Sequence, residues 1–170
     1  MTPLPSAKAF GEDERSVLFG YLDYHRAVLA RKAEGITEEQ ARLAACPPSG
    51  LTLLGLIRHM TEVERIWFRR SLFAEDVPPI YRTISDDDGN EGDLNPLPDA
   101  TLADALDAYW TEIEVADRNL AGASLDDVGI GEPDPGHSVR RTIVHMIEEY
   151  ARHCGHADLL RQAIDGSIGD

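Results

Sequence analysis

The chain has 170 residues, with 16 Lys and Arg against 31 Asp and Glu, which gives a formal net charge of −15 at pH 7. A chain of this length is usually one domain and can bury a real core, so we expect a single domain over residues 1–170. The acidic excess argues against nucleic-acid partners and anionic membrane surfaces, because contacts to phosphate need clustered Lys and Arg.

Other absences in the sequence narrow the class of protein further. No apolar run approaches the roughly 18 residues of a membrane span, and the N-terminal residues lack the basic start and apolar stretch of a signal peptide. We therefore expect a cytoplasmic protein. Its two cysteines, Cys46 and Cys154, cannot make a disulfide scaffold. An enzyme, a small-molecule or metal binder and an interaction module remain as classes.

Two helices are predicted in the first part of the chain. Apolar residues at helical spacing indicate a helix from about Asp13 to Glu34, with Gly35 as its stop. The predicted apolar stripe of this helix is Val17, Leu18, Tyr21, Leu22, His25, Val28 and Leu29. Residues 37–40 read Thr-Glu-Glu-Gln, which fits a capping box and predicts a short helix ending at Pro47 and Pro48.

Three longer segments also show helical spacing of apolar residues. They are Thr52 to about Phe73, Thr101–Leu120 and Ser138 to about Asp165. Between them lie a Pro- and Gly-rich stretch over 74–100, which is either functional or a plain surface excursion, and a loop over 122–136. No segment has the alternating Val, Ile or Thr of a strand. The pattern predicts an all-α bundle of four long helices.

The last predicted helix carries a stripe of His and Glu residues. His145, Glu149, His153 and His156 follow at steps of four, four and three residues, which on a helix fall within an arc of about 80°. The stripe borders the predicted apolar face, which consists of Ile143, Ile147, Tyr150, Cys154 and Ala157. It is therefore predicted near the bundle interior, where Glu is rarely buried without a partner.

The second long helix offers a counterpart in His59. Leu56 precedes it by three residues and Val63 follows it by four, so the imidazole is predicted on an apolar face. Facing helices of bundles build metal sites from inward His and carboxylate side chains. His59, Glu149 and His153 would supply two imidazoles and one carboxylate, which suit zinc, non-haem iron and other divalent metals.

Structural interpretations of the same residues stay open. A lone inward His can be a hydrogen-bonded core residue, and a Glu and a His four residues apart can be a helix-surface pair. His145 either orients a ligand or caps the core, and His156 either replaces a ligand or lines the open side of the site. Cys154 is predicted as a small core residue and Cys46 as a loop or helix-end thiol. Trp67 and Trp110 are predicted to be core residues. His25 and His137 are predicted to be either structural or exposed to solvent.

The chain resembles the DinB-like superfamily in two segments, LLGLIRHMTEVERIWF of residues 53–68 and HMIEEYARHCGHADLLRQAIDG of residues 145–166. More narrowly, it resembles the actinobacterial branch related to the N-terminal metal-binding domain of mycothiol-dependent maleylpyruvate isomerases. The resemblance implies an up-down-down-up four-helix bundle with a long crossover loop. It also implies a divalent metal, most often zinc or nickel, on His59, Glu149 and His153, with His156 lining the site.

The activities implied by this resemblance are thiol-dependent transferases and isomerases. We expect a metal-dependent S-transferase in which the metal activates a low-molecular-weight thiol such as mycothiol, and the thiol then reacts with an electrophilic substrate. A basic side chain would meet that substrate, and Arg82, Arg140 and Arg141 are the candidates; each is otherwise an ordinary surface Arg.

A second hypothesis is a non-catalytic metal-binding or stress-related interaction module, and a homodimer fits a bundle of this kind. It is motivated by the lack of an evident nucleophile or general base beyond the ligand set. Glu62 and Glu64 are near His59 in the sequence, but either can simply solvate the helix.

Overall fold

A computed structural model describes residues 11–81, 92–95 and 98–169. Their helices, in chain order, are α1 (Glu14–Arg31), α2 (Glu38–Ala41), α3 (Leu53–Arg65, continued by π-helical Ile66–Ser71), α4 (Leu102–Leu120) and α5 (Val139–Asp165). The described residues contain no strand, only an isolated bridge between Val128 and Ser138. The predicted all-α class is therefore confirmed. No helix in the described ranges is both long and apolar enough to cross a membrane.

The chain divides into two compact units. One contains the residues up to Leu53 together with those from Ile143 onward, and the other contains Leu54–Thr142. The first unit thus holds α1, α2 and most of α5. The second holds nearly all of α3, the whole of α4 and the loops on either side of α4.

Helix α1 begins directly after its N-cap residue, Asp13. Asp13 accepts a hydrogen bond from the backbone N–H of Ser16 at 3.0 Å, which satisfies one of the donors left over in the first turn. The predicted apolar stripe is wrong at two positions. Tyr21, which it included, is 47 % exposed, and Arg26, which it left out, is buried. Arg26 reaches the Asp23 carboxylate at 3.1 Å, which explains how a charged residue can lie there.

Helix α2 has the predicted capping box but is shorter than predicted. The Thr37 hydroxyl accepts from the Gln40 N–H at 3.1 Å, and the Gln40 side chain accepts from the Thr37 N–H at 2.9 Å. The helix ends at Ala41, well before the prolines. Ala41 is its only buried residue, and a short helix without a buried face is marginal.

In the second unit, the end of α3 supports both α4 and the following loop. Arg65 and Arg69 reach the buried Glu112 of α4 at 2.6 and 3.2 Å. The loop approaches through Gly131, whose N–H donates to the Ser71 carbonyl at 2.9 Å. A Cβ at Gly131 would lie 1.8 Å from the Arg70 carbonyl oxygen, so only glycine fits there.

In the first unit, α5 is fastened to the end of α1. Arg161 donates to the backbone carbonyls of Lys32 and Glu34 at 2.7 and 3.0 Å. The Lys32 ammonium in turn lies 2.6 Å from the Asp158 carboxylate. These bonds satisfy carbonyls at the C-terminal end of α1, and they fix the rotation of α5 about its own axis.

The buried face of α5 is close to the predicted one. Ile147 is only half-buried, whereas Met146, which the predicted face did not include, is fully buried. Trp67 and Trp110 are half-buried and not core residues as predicted. Cys154 is buried as predicted, and burial raises the pKa of its thiol to about 12.

Candidate metal centre

His59 lies on α3 with only 14 % of its side chain exposed, as its apolar neighbours predict. Its Nδ1 is 2.9 Å from Oδ2 of Asp93, a carboxylate that is completely buried. A carboxylate accepts hydrogen bonds, so in the neutral imidazole this contact favours the tautomer with the proton on Nδ1 and the lone pair on Nε2. This is the tautomer that binds a metal through Nε2.

The segment that carries Asp93 is held on α3 by the residue before His59. Arg58 donates from Nε to the Asp93 carbonyl at 3.2 Å and from Nη2 to the Gly92 carbonyl at 3.1 Å. Its guanidinium lies 3.8 Å from the centroid of the Tyr81 ring. The backbone N–H of Tyr81 is bonded to Glu62 at 2.5 Å. The carboxylate beside His59 is therefore fixed through its backbone as well as its side chain.

Glu149 and His153 lie side by side on α5. His153 Nε2 is 3.4 Å from Glu149 Oε2, and the two side chains are 11 % and 16 % exposed. The spacing of four residues predicted this pairing, because it places both side chains on one face of the helix. One imidazole and one carboxylate thus point the same way from a rigid element.

His156 lies next to His153, as the stripe predicts. The two Nδ1 atoms are 3.4 Å apart, and the rings meet edge to face with centroids 5.3 Å apart. His156 is half-buried. Its ring therefore contacts a predicted ligand, and its role in lining the site stays a prediction.

His145 lies one turn before Glu149, where it faces two carboxylates. Its Nε2 is 3.9 Å from Glu149 and its Nδ1 is 3.6 Å from Glu148. His145, Glu148 and Glu149 offer ligand atoms within 4.8 Å of one another. Arg152 also pairs with both carboxylates, and this competes with a cation at that position.

The predicted substrate-binding arginines fall in different surroundings. Arg82 lies outside the described residues. Arg140 is paired with Asp126 at 2.5 Å, and Arg141 is more than half exposed and 3.6 Å from Asp134. Their role in substrate binding stays a prediction.

Three residues near His59 differ from what the sequence indicated. Glu62 and Glu64 are both buried and do not solvate the helix. Sequence reasoning missed Asp93 altogether, because it comes 34 residues after His59 in a stretch without periodicity. The only local signal is an acidic residue inside a long loop, and such loops are often functional.

The donor chemistry fits a divalent metal. Metal-binding imidazoles usually give their second N–H to a carboxylate, which fixes the ring and increases the basicity of the ligand nitrogen. His59 has this arrangement with Asp93. Two imidazoles and one carboxylate are also donors that zinc accepts with a position left open.

Comparisons with known proteins agree with this description. The family model described as Mycothiol-S-transferase matches residues 17–166, and it supports the predicted DinB-like resemblance. No curated protein matches the chain. A solved structure described as the conserved protein of a locus from Enterococcus faecalis is similar at a TM-score of 0.63 and 15 % identity. The match covers 92 % of this chain and 100 % of that one, and at this identity it shows the fold alone. The family match covers most of the sequence, and the chain therefore belongs to the mycothiol S-transferase family.

Proposed function

We propose that this protein is a metal-dependent S-transferase that joins a mycothiol-type thiol to a small electrophile. The family match over residues 17–166 carries this proposal. We propose His59, Glu149 and His153 as the ligands of a single divalent ion, zinc or nickel. The protein would act in the cytoplasm, and its charge of −15 supports small-molecule partners in place of nucleic acid.

The donor set supports the metal part of the proposal. His59 on α3 offers an imidazole, and Glu149 and His153 offer a carboxylate and an imidazole side by side on α5. A different set within the first unit, His145, Glu148 and Glu149, also contains Glu149, and Arg152 pairs with both of its carboxylates. The three proposed ligands are also those that the DinB-like resemblance implies.

A divalent ion with an open coordination position would lower the pKa of a bound thiol, so that the thiolate forms near neutral pH. The chain's own residues prepare that position. Asp93 holds the His59 proton on Nδ1, and the backbone of α5 sets the spacing of Glu149 and His153. In the transfer itself, the thiol loses its proton to solvent, a sulfur–carbon bond forms, and the leaving group departs with its electron pair.

Elemental analysis of the purified protein tests the ligand set. After dialysis against zinc or nickel, we expect stoichiometric metal in the wild type and its loss in His59→Ala, Glu149→Ala and His153→Ala. His137→Ala is the matched control, because it removes an imidazole that is paired with Asp134. Retention of metal by the ligand variants, or its loss from the control, would contradict the assignment. Circular dichroism checks that each variant is folded.

A turnover assay separates the enzyme from the non-catalytic module. Metal-loaded protein, mycothiol and 4-nitrobenzyl chloride should give the thioether faster than the uncatalysed reaction, with the product detected by mass spectrometry. The three ligand variants should fall to the uncatalysed rate. If fully loaded protein transfers mycothiol to no electrophile in a panel, the non-catalytic metal-binding module is favoured.

A further inference from the structure

We propose that a cavity beside His156 holds the apolar group of the electrophile, and that the electrophile is small and uncharged. This inference rests on the proposed transferase function and adds the class of acceptor and the place where it binds. The cavity lies between α5 and the segment that precedes α3, and it measures about 340 Å³. Sites for small ligands commonly have volumes in this range. Its lining residues are Cys46, Ser49, Leu51, His156, Leu159 and Leu160.

The walls of the cavity are mainly apolar. Leu160 is 2 % exposed and forms a buried surface, while Leu159 is 60 % exposed and lies at the rim. Covering an exposed leucine with an apolar group of the ligand would favour binding by about 25 cal/mol for each Å² of apolar surface buried. The cavity therefore favours an alkyl or aryl group.

The position of His156 links the cavity to the candidate metal centre. Its imidazole lines the cavity and also lies against His153, with 3.4 Å between their Nδ1 atoms. One imidazole ring therefore separates a molecule in the cavity from a proposed ligand. A donor or acceptor atom of His156 can also hold a polar atom of the electrophile, whichever tautomer is present.

Charge disfavours anionic acceptors. None of the described residues lining the cavity is an Asp, Glu, Lys or Arg, so no permanently charged side chain there pairs with a carboxylate or phosphate. The whole chain is strongly acidic and repels anions over longer distances. An uncharged electrophile needs no cationic partner in the cavity and is not repelled by the acidic chain.

Cys46 provides a built-in reporter of occupancy. It lines the cavity, is half-buried, and its Sγ lies 3.5 Å from the Leu159 carbonyl oxygen. The chain has two cysteines, and the other, Cys154, is buried with a pKa raised to about 12. Alkylation near neutral pH should therefore modify Cys46 selectively, since the thiolate is the reactive form.

The experiment measures the rate at which iodoacetamide alkylates Cys46, followed by peptide mass spectrometry, in the metal-loaded protein. The probe is 4-nitrobenzyl alcohol, an uncharged and unreactive analogue of an aryl electrophile. At about ten times its Kd, the probe should slow the alkylation about tenfold, and 4-nitrobenzoate should not slow it at equal concentration. Leu159→Ser should weaken the protection. Val144→Ser is the matched control, because Val144 is a 51 % exposed aliphatic residue on the same helix outside the cavity lining.

Absence of protection, equal protection by 4-nitrobenzoate, or equal effects of the two serine variants would overturn the cavity assignment. The outcome is separable from that of the transferase proposal. Protection of Cys46 without any turnover supports ligand binding in the cavity and contradicts the transferase proposal. Turnover without protection, with an unchanged KM for 4-nitrobenzyl chloride in Leu159→Ser, supports the enzyme and contradicts the cavity.

Discussion

At the scale of single residues, Asp93 is the side chain that most affects the candidate site without being a proposed ligand. Its Oδ2 faces His59 Nδ1 at 2.9 Å, and its Oδ1 accepts from the N–H of Leu94 at 3.0 Å. The two bonds from Arg58 go to backbone carbonyls. Replacement of the carboxylate therefore leaves the main attachment of the segment in place.

We predict that Asp93→Asn binds zinc about 10- to 100-fold more weakly than the wild type, because an amide no longer fixes the His59 tautomer by charge. The affinity is measured by competition with a chromophoric chelator. Nitrogen-detected NMR of the metal-free protein should also show the imidazole of His59 shifted toward a mixture of tautomers. Asp99→Asn, which changes an exposed residue of the same loop, should alter neither quantity. An unchanged zinc affinity in Asp93→Asn would show that Asp93 has no positioning role.

At the scale of helices, an ion-pair network joins α4 to the end of α3. Glu112 is 3 % exposed, and its carboxylate meets Arg65 at 2.6 Å and Arg69 at 3.2 Å. Arg69 also pairs with Glu75 at 2.8 Å. Two arginines thus share one buried carboxylate, and Arg69 has Glu75 as a second acidic partner.

We predict that Glu112→Ala lowers the free energy of unfolding by about 3 kcal/mol, because it leaves two mostly buried guanidinium groups without this partner. Urea unfolding followed by circular dichroism measures the change. Glu114→Ala is the control, since Glu114 is exposed on the same helix, and a surface change of this kind should stay within about 0.5 kcal/mol. Similar losses in the two variants would mean that the network contributes nothing specific.

At the scale of the whole molecule, the free energy of unfolding depends on pH through buried groups. Burial lowers the pKa of His25 below its ordinary 6.5. The Nδ1 atom of His25 is buried without a hydrogen-bond partner. The folded protein consequently binds fewer protons than the unfolded chain just below pH 6.5. Stability present above that pH is lost as the pH falls toward the lowered pKa.

We predict that the wild type loses more stability than His25→Gln when the pH is lowered from about 7.5 to about 5.5. Only in the wild type does unfolding release a half-buried imidazole with a lowered pKa, which then binds a proton. Urea midpoints at several pH values measure the difference. His137→Gln, which changes a His paired with Asp134, should follow the wild type. If His25→Gln and the wild type lose stability in parallel, His25 does not cause the acid sensitivity.

The sequence by itself determined the features that depend on near neighbours along the chain. The capping box at Thr37 joins residues three apart, so it could be predicted from the sequence. Asp13 and Thr101 cap their helices with bonds of the same spacing. The pairing of Glu149 with His153 follows from helical spacing in the same way. Apolar periodicity predicted each long helix to within a few residues at its ends.

Only the tertiary structure decided the features that join distant residues. The bond between His59 and Asp93 spans 34 positions, and no periodicity connects a helix to a loop. The burial of Arg26 and Glu112 runs against the preference of charged residues for water, and only their partners explain it. The cavity beside His156 is the space left when the segment around Cys46 packs against α5. Its walls come from two parts of the chain, so its shape depends on packing and cannot be deduced from local patterns.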